Sequence, residues 1–339
     1  MIRGRKQISV LVTMLLVLPM IFTAPVYATP DGDVSGEFSV NSPPIVDSVS
    51  LNVTSMTPLT EYTVSVQVTD NDSIDHLDTV IFKAWYDSNG GSPAEVEFDA
   101  QSANVTNCAV ITWTHTGGTG STTIFTPAST TWSSGNCTVP STVGDFNGTT
   151  FEFQFVFTVG KIATETTGSA LWQIAAKATD DQSTTGWNSD DEGASMDFYG
   201  EITVPSTTVT WDTLLTPGTD FTDPGAQEAV GIIINYIANG DYAKDVRSIS
   251  SWSGTSYTAD LDATGNCSGA QQFALSADDD DTFADSVVID TTGVSVDDTG
   301  TQTSESGDDV SNMNLWIKIA SSFSGDDYTG TITYVVVNR

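Results

Sequence analysis

The sequence predicts an all-β fold, built as two antiparallel β-sandwiches in tandem. Three observations carry this. Apolar and polar residues alternate over long stretches, the stretches are separated by turns rich in Gly, Asn, Asp, Ser and Thr, and 339 residues are more than one ordinary sandwich uses. Tyr62, Val64, Val66 and Val68 share one strand face while Thr63, Ser65, Gln67 and Thr69 take the other. Phe151, Phe153, Phe155, Phe157 and Val159 form a second such face, opposite Glu152, Gln154 and Thr158.

Residues 1–28 have the form of a signal peptide: a basic start with Arg3, Arg5 and Lys6, an apolar run from Ile8 to about Val26, and Val26-Tyr27-Ala28 before a cleavage point after Ala28. An uncleaved anchor is the alternative, and Pro19 and Pro25 within the run favour cleavage. No later stretch approaches the length of a membrane span. A secreted, cell-surface protein with no further membrane span is expected. Residues 29–44 form a polar lead ending in Pro43-Pro44, expected to be extended.

The first sandwich is expected over 45–204, with strands near Tyr62–Val68, Val80–Tyr86, Phe151–Val159, Leu171–Ala178 and Phe198–Val204. Between them, Cys108 and Cys137 are the natural disulfide pair. Trp113 follows the first by five residues and Trp132 precedes the second by five, so an antiparallel ribbon with Gly117-Gly118-Thr119-Gly120 near its turn would set Cys against Cys and Trp against Trp. Such a bridge would stabilise the fold by about 3–4 kcal/mol. Pro205-Ser-Thr-Thr208 marks the boundary to a second sandwich over 205–339. Its strands are expected near Gly231–Ile237, Leu315–Ala320 and Thr331–Val337, with 270–307 holding either short strands or loops. Cys267 is left over, as a buried thiol or an intermolecular crosslink.

The chain carries 44 Asp and Glu against 10 Lys and Arg, a formal charge of −34. Such a surface repels nucleic acid and anionic lipid and attracts cations. Six Asn-x-Ser/Thr sites, at Asn52, Asn71, Asn104, Asn136, Asn147 and Asn266, suit an exported glycoprotein.

Two strands run into acidic clusters. The segments are Val66-Gln-Val-Thr-Asp-Asn-Asp72 and Ile174-Ala-Ala-Lys-Ala-Thr-Asp-Asp181. They resemble Ig-like extracellular modules of the cadherin and PKD kind, and archaeal cell-surface proteins built from them. The resemblance implies an Ig-like sandwich in which these segments are strands B and F, whose following loops lie at one end. Asp70, Asp72, Asp75, Asp180 and Asp181 would then converge, held apart by water or by a cation. Calcium is the cation that suits such a set, because it takes six to eight oxygen ligands in flexible geometry. Ile74 and Asp75 break the EF-hand pattern. Asp278–Asp281 with Asp285 is a second acidic run, of the kind usually solvated.

Little points to catalysis. His76 and His115 belong to no zinc motif, and Gly265-Asn-Cys267-Ser-Gly269 matches a nucleophile elbow without the α/β context that elbow needs. Trp187 and Trp252, in polar stretches, are candidates for stacking on sugars, whereas Trp85, Trp172 and Trp316 read as core. The expected function is non-enzymatic. The chain reads as a subunit of a surface layer, sheath or filament, self-assembling or joining other surface proteins through β-edges and calcium bridges. An adhesin or carbohydrate-binding module is the alternative.

Overall fold

The computed structural model describes residues 40–205, 208–211, 214–221, 228–279 and 283–339. The expected signal peptide, most of the lead and part of the 278–281 acidic run lie outside them. Asn41–Arg339 form one compact unit.

The first half is a sandwich of two sheets. One has the order β1 (Ile45–Leu51), β3 (Glu61–Thr69), β8 (Thr150–Thr158), β7 (Ser133–Ser134). The other runs β2 (Ser55–Met56), β10 (Thr185–Met196), β9 (Leu171–Asp180), β4 (Leu77–Asp87), β5 (Cys108–Gly117), β6 (Gly120–Thr126). This is the strand order of a variable-type Ig sandwich, with β3 in the place of strand B and β9 in that of F. The predicted alternation is what builds it. Val64, Val66 and Val68 of β3 and Phe153, Phe155 and Phe157 of β8 are fully buried, facing Phe82, Ile111, Trp113 and Trp172 of the second sheet. Helix α1 (Glu95–Ala100) covers the outer face of that sheet, where Phe98 meets Trp85 edge-on. A short α2 (Val143–Phe146) precedes β8.

The β5–β6 hairpin turns within the glycine run, earlier along the chain than a Cys108–Cys137 register requires. Gly117 and Gly118, both at positive φ, make a tight turn that pairs Gly117 with Gly120, so Trp113 faces Thr123 and not Trp132. The expected Cys108–Cys137 disulfide is therefore corrected: both cysteines, and Cys267, are free. Cys108 points to the outer cluster with Trp85 and Phe98, while Cys137 packs against the main core.

The second half pairs a larger sheet with a three-stranded one. The larger has the order β11 (Gly200–Thr203), β12 (Glu228–Ala238), β19 (Asp309–Ile319), β16 (Gln272–Asp278), β15 (Thr258–Leu261), β14 (Ser251–Ser253), with β17 (Val287–Val288) on β16. The smaller is β18 (Val294–Gly300), β13 (Tyr242–Ser248), β20 (Ile332–Asn338). The strand expected to close the first half, near 198–204, is β11 and pairs with β12 of the second half instead. Residues 270–307 hold short strands, as one of the two readings had it.

A polar seam fastens the halves. The buried Asn239 amide donates to the carbonyls of Ala163 (2.8 Å) and Asp197 (2.9 Å), and its oxygen accepts the Tyr199 N–H at 2.7 Å. The Gln302 side chain donates to the Ile162 carbonyl at 2.7 Å. Glu305 reaches back to accept from the Thr131 hydroxyl (2.5 Å), the Thr130 amide (3.1 Å) and the Ser129 hydroxyl.

Candidate functional site

The two acidic loops do meet at one end of the first sandwich. β3 and β9 both end there, and the loop after β3 passes through a single 3₁₀ turn, Ile74–His76, before entering β4. The Asp181 N–H donates to the His76 carbonyl at 2.8 Å. Asp70 and Asp180 are both buried, and their negative charges act on each other.

The acids are largely used by the loops themselves. Asp180 Oδ1 accepts the N–H groups of Gln182 (3.0 Å) and Thr184 (2.7 Å), and Oδ2 accepts the Asn41 amide at 2.7 Å and the Thr184 hydroxyl. Burial pushes its pKa up, but these donors together outweigh it and hold the carboxyl below the usual range. Asp72 accepts the Ser42 N–H at 2.7 Å. Asp75 lies 3.6 Å from His115 Nε2, and Asp181 lies 3.5 Å from His76 Nδ1. His115 itself is stacked between Trp113 and Phe146. Sequence separation hid this gathering of both histidines at the acidic end, because β5 and the loop before β4 meet only through the sheet.

Asp70 is different. Its Oδ1 accepts the Asp72 N–H at 2.9 Å, whereas its Oδ2 is buried without a hydrogen-bond partner. Burial raises its pKa, backbone N–H groups oppose this, and the charges of Asp72 and Asp180 add to the rise. An orphaned, buried carboxylate oxygen that feels the charges of Asp72 and Asp180 is what a bound cation would relieve. Among the described residues no three His, Cys, Asp or Glu side chains converge to hold a metal by themselves. A calcium ion here would take Asp70 Oδ2 and complete its shell from carbonyl, amide or water oxygens.

Comparison with known proteins adds nothing to this geometry. No family model matches the chain, and no curated protein matches it. The remaining candidates are placed by the structure alone. Trp252 is buried in the second core against Phe273, where it packs and has no face free for a sugar, whereas Trp187 is half-buried over the Trp85–Phe98 cluster. Cys267 is buried, its thiol pushed up to about 11 first by desolvation and then by the charge of Asp262. All six sequon asparagines are exposed.

The sheet edges are the other functional surface. The outer edge of β1 is covered, because Asn188 donates to the Val46 and Asp47 carbonyls and Asp190 accepts the Leu51 N–H. β6 ends its sheet with seven residues, Gly-Ser-Thr-Thr-Ile-Phe-Thr, that contain no charge and no proline, and Ile124 is 59% exposed. β20 ends the three-stranded sheet and is likewise uncharged. Natural edges are usually blunted by charge, proline or a bulge.

Proposed function

We propose that this chain is a non-enzymatic structural subunit of an exported surface layer or filament, assembling through its sheet edges. The uncharged β6 edge carries the reading. In a protein with 44 acidic residues, seven successive edge positions without a charge leave an open pairing template. A second copy suits it: β6 and β20 are different edges on the two halves, so pairing one with the other is a head-to-tail contact, which propagates into a filament wherever its rotation does not close a ring. The exposed sequons and the acidic surface suit an extracellular setting. The sugar-binding alternative is left with the half-buried Trp187, since Trp252 is buried in the second core.

Light scattering of the full chain against concentration tests the proposal. Growing assemblies are expected, with Ile124→Lys reducing them severalfold by placing a charge on the edge; a wild-type chain that stays monomeric at high concentration, with and without calcium, overturns it.

Calcium belongs to the same proposal, now narrowed to Asp70. Adding calcium should raise the thermal midpoint of the wild type relative to chelator. Asp70→Asn keeps the oxygen that accepts from Asp72, removes the charge that repels those of Asp72 and Asp180, and should be at least as stable at neutral pH without calcium. The variant should show no calcium response, and equal responses from the two chains would discard the site.

A further inference from the structure

We infer that Lys244 forms an intramolecular isopeptide bond with Asp309, a covalent tie between the two sheets of the second half. Lys244 sits on β13, the central strand of the three-stranded sheet, and its side chain is only 6% exposed. Its Nζ lies 2.9 Å from Asp297 Oδ2, 3.2 Å from Asp279 Oδ2, and 3.1 and 3.2 Å from the two oxygens of Asp309. Asp297 is its cross-strand partner on β18, whereas Asp279 and Asp309 belong to the facing sheet, just after β16 and at the start of β19.

Three features single out Asp309 as the acceptor. Its two oxygens are nearly equidistant from Nζ, so the nitrogen lies close to the plane through Cγ that bisects them. The Tyr242 hydroxyl donates to Oδ2, placing a hydrogen bond where negative charge builds when nitrogen adds to Cγ. The surroundings are aromatic: the Tyr236 ring lies 5.3 Å from Nζ, and the hydroxyls of Tyr236 and Tyr334 are buried without partners. Asp297, the nearest carboxylate, is placed to move protons.

The reaction balances without any co-reactant. Asp297 takes one proton from the Lys244 ammonium and passes it to Asp309, leaving a neutral amine beside a neutral carboxylic acid. The amine nitrogen adds to Cγ, forming the N–C bond. Asp297 then carries a second nitrogen proton to the departing hydroxyl, the C–O bond breaks, and water leaves through the polar cavity of about 380 Å³ that Lys244, Asp297 and Asp309 line. Burial pushes the ammonium toward neutrality, but the flanking carboxylates outweigh it, so proton transfer is the step this site must supply. Condensation is unfavourable in bulk water. Holding the two groups in contact supplies the effective concentration that offsets this. An ammonium held among three carboxylates in a largely buried site is costly to keep, and the amide removes one charge of each sign.

The full chain, purified from one host as wild type and as Lys244→Arg, decides the matter by peptide mass mapping. The expected result is a wild-type species in which the peptides containing residues 244 and 309 are joined and lighter by one water than their sum. The Arg variant should yield two separate peptides. Recovery of wild-type peptides with a free Lys244 amine and no joined species overturns the inference, and a joined species through residue 297 or 279 overturns the choice of acceptor. The wild-type map reads the bond directly, so the result stands even if the variant folds poorly.

Discussion

Trp132→Ala is expected to destabilise the first sandwich by about 3–5 kcal/mol, the range for removing a large aromatic from a core. Trp132 is 3% exposed and lies between the sheets, its ring centroid 5.9 Å from Trp172 and 6.4 Å from both Phe157 and Phe125. Its Nε1–H donates to the Val105 carbonyl at 2.8 Å, so truncation leaves both a large cavity and an unpaired acceptor. Gly160 closes over the indole so tightly that a Cβ there would overlap the ring. Gly160→Ala is therefore expected to destabilise as well, by overpacking at about 1–3 kcal/mol, and to lose most of that effect in a Trp132→Ala background. Equilibrium unfolding in denaturant, followed by tryptophan fluorescence, measures both variants and their coupling. Additive effects would mean that the contact does not fix the loop.

The same residue shows where sequence reading stops. Strand existence and facing were legible because period-two alternation is a local property: Val64, Val66, Val68 and the three buried phenylalanines of β8 all point inward as read. The convergence of the Asp70 and Asp180 loops was legible only through the resemblance to Ig-like modules, which implied that these two strands end on the same side. Register was not legible. The matched spacing of Trp113 and Trp132 from the two cysteines, with a glycine run between them, suggested a long ribbon, but a tight turn at Gly118-Thr119 sets β5 against β6 and sends Trp132 across to the opposite sheet. Nor does spacing reveal saturation. Asp180 looks like a ligand in sequence, yet the backbone of its own loop and Asn41, well over a hundred residues away, already fill its oxygens. The Lys244 cluster was invisible for a related reason, because its three carboxylates come from β18, β19 and the end of β16.

Asn239→Ala is expected to cost a comparable amount, about 3–5 kcal/mol, because it orphans three backbone groups at once. The carbonyls of Ala163 and Asp197 and the N–H of Tyr199 all depend on one buried amide, and a buried group left unpaired costs roughly 1–3 kcal/mol. Since these groups lie on both sides of the seam, the variant should unfold in two separable transitions where the wild type shows one. Glu305 provides a second clasp with a pH signature. Burial pushes its carboxyl up, but the hydroxyl and amide donors of Ser129, Thr130 and Thr131 together outweigh this and hold its pKa below the ordinary glutamate value. Its pKa therefore falls on folding, the unfolded chain binds more protons in acid, and stability rises with pH there. The contribution is fully present above the ordinary glutamate pKa and is lost as pH falls through the lower folded value. Glu305→Gln should flatten that acid limb while leaving the Asn239 clasp intact. In the Asn239→Ala background, acidification should separate the two transitions further, and an unchanged separation from neutral pH into acid would show that Glu305 does not hold the halves together.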